Sequence, residues 1–273
     1  MQSEATVTAN GSASWTALLT SLNCTSLTGP SALECARAAP ASTIKSIIEA
    51  QALVFPPVAD NVTSSANVAA QLAAKTFAHV PFFLGTNSQE GRVFAVGQTN
   101  VSDFLDAEGL AALAPAIEAS YPIPMSPTAA YEEIADIITD IDFQCAALTL
   151  ANTALANGYT DIWRYYFNAS FPNFAPFPDS GVYHSSEIPE VFGNYNTTGA
   201  TTQQIALSAY MQGAWADFAK DPSAGPGWLE WGSGGTDLAD LGGGGSSGEF
   251  DIDPASVDGR CAIYAPVYEV IGI

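Results

Sequence analysis

Gly181-Val182-Tyr183-His184-Ser185-Ser186-Glu187-Ile188-Pro189-Glu190-Val191-Phe192-Gly193 carries one of the two histidines of the chain and sets it ahead of a short apolar run. Upstream, Ile162-Trp163-Arg164-Tyr165-Tyr166-Phe167 reads as a strand, and Phe171 to Pro178 reads as the Pro/Phe-rich loop leaving it. Strand, loop and histidine in that order place an imidazole beyond the carboxyl end of a buried strand. There it can take up and return a proton near neutral pH, provided a carboxylate orients it. On the residues alone, the favoured reading of His184 is a histidine that hydrogen-bonds inside its own loop.

Working outward, Val80 to Leu84 is a continuous apolar run without polar alternation, which predicts a parallel strand covered on both faces. Beyond it come Gly85-Thr86-Asn87-Ser88-Gln89-Glu90-Gly91, which set Glu90 just past the predicted strand. A helical pattern from Asp103 to Ala119 stops at Pro122 and Pro124, and Ser126 with Pro127 opens a new helix whose stripe is Tyr131, Ile134, Ile138 and Ile141. Glu132, Glu133, Asp136 and Asp140 fall mostly off that stripe and read as a solvated face, not as a carboxylate pair for glycoside chemistry. A separate helix is predicted from Phe143 to Ala156. A further one from Thr202 to Lys220 is expected to bury Ile205, Ala209, Met211, Trp215 and Phe218. Residues 1–50 read as short helices, and residues 232–248 as a Gly/Ser-rich surface loop. Helices alternating with apolar strands make the chain α/β.

Three stretches carry a resemblance. GVYHSSEIPEVFG is similar to the histidine loop of the type-B carboxylesterases and lipases, the cholinesterase-like α/β-hydrolases that include fungal secreted esterases. Val80 to Gly91 resembles that family's strand and its acid-bearing G-x-N-x-x-E-G turn, and Thr139-Asp140-Ile141-Asp142-Phe143-Gln144-Cys145 its T-D-x-x-F-x-C helix. The similarity extends over nearly all of the chain. It implies that residues 1–273 are one incomplete domain, the C-terminal part of an α/β-hydrolase fold, with a partial, mostly parallel sheet flanked by helices and residues 1–50 as cap-like helices. It implies Glu90 and His184 as the acid and base of a Ser-Glu-His triad, with the nucleophilic serine and oxyanion donors on sequence outside these residues. The implied substrate is a carboxylic ester or lipid, with no cofactor and no metal. The same family includes non-catalytic adhesion proteins, so a binding module is the alternative reading.

Other motifs carry less. Gly244-Gly245-Ser246-Ser247-Gly248 matches G-x-S-x-G, but glycine precedes it and an acidic segment follows, whereas a nucleophile elbow needs a strand before and a helix after. Asp251, Asp253 and Asp258 lack calcium-loop spacing. His79, ahead of its strand, is expected to be structural, and Glu187 to bond loop backbone or buried water.

Composition sets the compartment. A net charge of -21 arises from 28 acids against 7 bases, so there is no basic stripe to neutralise nucleic-acid phosphates, and no apolar run is long enough to span a bilayer. Four cysteines, with sequons at Asn10, Asn23, Asn61, Asn100, Asn168 and Asn196, point to a secreted protein. The opening Met1-Gln2-Ser3-Glu4-Ala5 has no signal-peptide character, which fits the C-terminal part of a longer precursor. Four cysteines allow three pairings. The resemblance implies Cys24 with Cys35 and Cys145 with Cys261, and histidine spacing gives a zinc site no support.

Overall fold

A computed structural model describes residues 12–55, 58, 62–63, 65, 67–121, 126 and 128–272. These divide into two compact units, residues 2–70 and 71–271. In the first, α1 (Ser12–Ser21), α2 (Gly29–Arg37) and α3 (Ala41–Ala50) surround a small core of Leu19, Cys24, Ala32 and Ala36, closed by the Cys24–Cys35 disulfide. Ser21 Oγ accepts from Gln51 Nε2 (2.8 Å), pinning the end of α3 to α1. A short helix, α4 (Val68–Ala73), runs across the boundary.

The second unit is built on a four-stranded sheet in the order β1 (Phe82–Asn87), β2 (Ile162–Phe167), β3 (Leu238–Leu241), β4 (Glu249–Ile252). The first three strands are parallel, and β4 pairs antiparallel to β3, with Leu238 opposite Ile252. Each of the two apolar runs read from sequence forms a strand, although β1 begins two residues later than Val80. Its first four residues are only half-buried, because among the described strands β1 lies at the sheet edge and not between neighbours. β2 and β3 are the buried centre.

Helices α5 (Val101–Ala107) and α6 (Ala114–Ser120) replace the single helix expected from Asp103 to Ala119. The chain breaks at Gly109, whose φ of +73° no continuing helix adopts. The α7 helix (Ala129–Ile138) passes through a π-helical turn (Thr139–Gln144) directly into α8 (Cys145–Ala156), so the two helices expected here are one rod with a wide turn in it. Thr128, not Ser126, stands at the start of α7; Ser126 Oγ accepts from Thr128 N, and Pro122 to Pro124 and Pro127 lie outside the described residues.

Three expectations are corrected. Asp140 is not solvated: at 3% exposure its Oδ2 accepts from Tyr121 Oη and Arg260 Nε, both at 2.6 Å. The helix α10 (Thr202–Lys220), capped by Thr201 Oγ1, buries Gln204, Leu207, Ser208, Met211 and Ala214, while Ile205 is 55% exposed. The Gly/Ser-rich segment 232–248 is not surface throughout, since it contains β3, whose Leu238, Ala239 and Leu241 are fully buried. Four residues of high burial tendency suffice for a central strand when glycines on each side let the chain enter and leave sharply.

Two apolar cores flank the sheet. One joins α5–α8 to the C-terminal segment of α11 (Ala255–Asp258) and α12 (Ala265–Ile271), through residues such as Leu105, Ile117, Ile137 and Tyr264. The other packs Phe167, Leu207, Met211 and Trp228 between the sheet and α10, with Phe83 edge-on to Trp215, Phe218 and Trp228. Across the middle, Arg164 of β2, 1% exposed, ion-pairs with Asp258 at 2.7 Å and lies over the Trp231 ring. Asp258 in turn accepts from Gln144, which accepts from Thr86, so the π turn, the sheet and the C-terminal segment share one buried polar chain. Both disulfides follow the pairing implied by the resemblance, Cys24–Cys35 and Cys145–Cys261.

Candidate active site

The acid turn leaves the end of β1 and the histidine loop leaves the end of β2, two adjacent parallel strands, so both arrive at the same carboxyl edge of the sheet. Glu90 opens a short 3₁₀ turn (Glu90–Val93) and is 5% exposed. One carboxylate oxygen, Oε1, accepts from the Asn87 backbone N–H at 2.7 Å, and the other, Oε2, lies 2.7 Å from His184 Nδ1. Burial holds the Glu90 carboxyl above the usual range for a glutamate, opposed by those same two hydrogen bonds. The His184 side chain is 43% exposed, and its Nε2 has no hydrogen-bond partner among the described residues. Phe143 and Phe94 stand against the imidazole with ring centroids at 4.9 and 5.3 Å, forming an aromatic wall beside it.

What fixes this geometry is a set of contacts between the two loops. Asn87 Nδ2 donates to Tyr183 O (2.8 Å) and Glu187 Oε2 (2.6 Å), tying the start of the acid turn to the residues on both sides of His184. Gln89 N donates to Val182 O, and Val182 N donates to Gln89 Oε1, a closed pair that sets the two segments side by side. Gly181 is required there: its φ is +61°, and a β-carbon would overlap Gln89 Oε1. Ser185 takes a left-handed φ of 73°, turning the chain directly after the histidine.

Behind the acid, Gly91 N donates to Thr139 Oγ1 (2.9 Å) of the π turn, and Thr139 Oγ1 donates to Ala135 O. A β-carbon on Gly91 would lie inside the Ala135 carbonyl. Gly91→Ala is therefore expected to destabilise the chain by about 1–3 kcal/mol, at the upper end because a helix carbonyl cannot rotate away. Its denaturant midpoint checks this, and a midpoint equal to that of wild type would show that the turn does not press on α7.

The structure brings Glu90 and His184 together, and it leaves the other candidates elsewhere. His79 Nε2 hydrogen-bonds Gly158 O and its ring stacks on Tyr159. Glu187 accepts from Asn87 Nδ2, a side chain rather than the loop backbone or buried water expected. Ser246 follows a 3₁₀ turn, not a strand, and its hydroxyl is bonded locally to Gly248. A polar cavity of about 180 Å³ is lined by residues including Ser88, Asp136, Asp140 and Arg260, and His184 is not among its lining residues. Among the described residues no group of acids, histidines and cysteines is placed to hold a metal ion.

Sequence reading passed over Asn87, Gln89 and Phe94 as contributors to this site. Asn87 and Gln89 lie within the quoted acid turn, and their amides two positions apart were the available signal. Nothing marks Phe94, since an aromatic residue after a turn usually belongs to the core.

Comparison with known proteins gives this geometry a context. The model of the Carboxylesterase family matches residues 1–233. The chain is 30% identical over 218 residues to a protein named Secreted lipase 5 from Gibberella zeae, a match covering 75% of this chain and 37% of that one. It is 39% identical over 92 residues to a chlorogenic acid esterase from Aspergillus niger, covering 33% and 18%. Among solved structures, Aspergillus niger EstA superposes with a TM-score of 0.68 at 18% identity, and a PNB esterase with 0.65 at 23%. These cover 95% and 93% of this chain but only 55% and 54% of the solved ones, so the chain spans about half the length of those structures. The shared architecture is the α/β-hydrolase fold, here as a mixed four-stranded sheet flanked by helices.

Proposed function

The chain belongs to the carboxylesterase family, and from that premise we propose that Glu90 and His184 are the acid and the base of a serine-type carboxylic ester hydrolase. The observation that carries the reading is the 2.7 Å contact between Glu90 Oε2 and His184 Nδ1, with Nε2 of the part-exposed ring free of partners among the described residues. Glu90 accepts a hydrogen bond from Nδ1–H, which fixes the tautomer whose Nε2 has a lone pair to offer. That lone pair takes the proton of a serine hydroxyl as its oxygen attacks the ester carbonyl, and the imidazolium then returns the proton to the departing alkoxide. Water repeats the cycle to release the acid. Throughout, the buried carboxylate beside the ring stabilises the imidazolium, and Phe94 and Phe143 keep it oriented and supply an apolar flank suited to an ester rather than an ionic substrate.

On this reading the serine lies outside the described residues, which is supported by the absence of any bond to Nε2 among them. Ester or lipid substrates, a secreted location and glycosylated sequons complete the proposal, supported by relatives named as a secreted lipase and an esterase and by two formed disulfides. The test is hydrolysis of p-nitrophenyl esters by the 273-residue chain alone and by the chain extended with whatever its gene encodes ahead of residue 1. Turnover is expected only in the extended form. Turnover by the chain alone, lost in His184→Ala and blocked by an organophosphate, would overturn the assignment of the nucleophile to outside sequence; labelling of Ser246 would identify the residue dismissed.

A further inference from the structure

Six residues after His184, in the short helix α9 (Ile188–Phe192), Glu190 is completely buried, with 0% of its surface exposed. It faces Gln204 of α10, also 0% exposed, whose Nε2 donates to Glu190 Oε1 at 2.7 Å. The remaining oxygen of each group, Glu190 Oε2 and Gln204 Oε1, is buried without a partner among the described residues. Two orphaned acceptors on one hydrogen-bonded pair are costly, and neither can donate unless a proton is added. In a head-to-tail pair, N–H···O on one side and O–H···O on the other, a proton on Oε2 is the one donor that is missing.

We propose that Glu190 is a protonated carboxylic acid at neutral pH, bound in this way to the Gln204 carboxamide, and that the pair is a positioning latch for the loop bearing His184. The surroundings agree. Burial raises the Glu190 pKa, and the Gln204 hydrogen bond opposes that rise. The charged groups of α10, Asp217 and Lys220, lie at its far end, exposed and paired with each other, and Glu187 on the same segment is engaged by Asn87. A second contact locks the same junction, Ser208 Oγ donating to Glu190 O at 2.7 Å while accepting from Gln212 Nε2. The segment from His184 to Gly193 is thus gripped at Glu187 by β1 and at Glu190 by α10.

The importance of this latch rests on reading His184 as the base, but its test uses no ester. Infrared difference spectra of the full chain, wild type minus E190Q, should show at neutral pH the carbonyl stretch of a protonated carboxyl group, which cancellation of all other acids leaves assignable to Glu190. Glutamine preserves the latch by replacing the O–H donor with N–H. A folded-state pKa raised above the unfolded value means that the native state holds the extra proton, so this contribution to stability is present at acid pH and declines as pH rises through the raised pKa. E190Q should therefore match wild type at low pH and exceed it at high pH. With only two histidines in the chain, ring NMR signals of His184 can be followed against those of His79, which is held elsewhere by Gly158 and Tyr159. E190A should shift the His184 signals and E190Q should leave them in place; if E190A does not fold, E190D, too short to keep the pair, serves instead. Absence of the carboxyl band, which a bridging water beside an ionised Glu190 would produce, overturns the protonation. Equal His184 shifts in E190Q and in the broken-pair variant overturn the positioning role.

Discussion

Replacing His184 by alanine, in an esterase assembled around this chain, is expected to lower kcat by about a millionfold, and replacing Glu90 by glutamine by about ten-thousandfold. Those magnitudes are the ones seen when base or acid is removed from serine hydrolases of other folds. The structure supplies the reason why glutamine is so damaging. Asn87 N–H needs an acceptor and already uses Oε1, so a glutamine at position 90 must keep its oxygen there and turn its NH₂ towards His184. Facing a donor, Nδ1 becomes the acceptor and the ring proton moves to Nε2. The base would then present a hydrogen to the serine hydroxyl instead of a lone pair. Both substitutions should act on kcat with KM little changed, because neither side chain is placed to bind the resting ester. A variant that raised KM alone, or a Glu90→Gln enzyme of near wild-type kcat, would remove Glu90 and His184 from the proposed roles.

The parts of this site that could be read in advance are those in which local sequence fixes geometry. The turn from Gly85 to Gly91 was legible through its resemblance to the family's G-x-N-x-x-E-G turn, and the structure gives that pattern a physical reason: Gly91 fits only as glycine against Ala135, and Glu90 before it reaches His184 of the neighbouring loop. Long-range pairing was legible only where a resemblance implied it, as for the disulfides. Asp140 shows why: on a helix of acids it looks solvated, and its burial depends on Arg260 and Tyr264, more than a hundred residues away, together with Tyr121. For α10 the reading held at Met211, Trp215 and Phe218, which pack into the second core, and failed at the exposed Ile205 and Ala209. The inward face also includes Gln204 and Ser208, which no apolar stripe predicts, because α9 presents a buried glutamate side chain and its backbone carbonyl to them. β3 was hidden by composition: glycines on either side of Leu238–Leu241 resemble a linker, and only the hydrogen-bonded neighbours on both flanks reveal a central strand.

Removing the Cys145–Cys261 bridge is expected to be the most destabilising change away from the proposed catalytic pair. The disulfide closes a loop of 116 residues, worth about 5 kcal/mol in the chain-entropy description, against about 3 kcal/mol for the 11-residue loop of Cys24–Cys35. For a unit of this size 5 kcal/mol corresponds to a fall in Tm of about 10–20 °C. The consequence also reaches the site. Cys145 directly follows the π turn, and the segment it anchors delivers Arg260 to Asp140, Tyr264 to Tyr121 and Tyr268 to Ile141 O. The same turn supplies Thr139 to Gly91, the residue after Glu90. Loosening the C-terminal segment thus loosens the backing of the acid turn before any catalytic side chain is touched. Paired Cys145→Ala and Cys261→Ala substitutions should lower the melting transition of the unit containing the sheet and broaden the His184 ring signals. The equivalent Cys24→Ala and Cys35→Ala pair, confined to residues 2–70, should do neither. Equal losses from the two pairs would show that loop length does not govern the effect and that the C-terminal segment is held by its polar contacts alone.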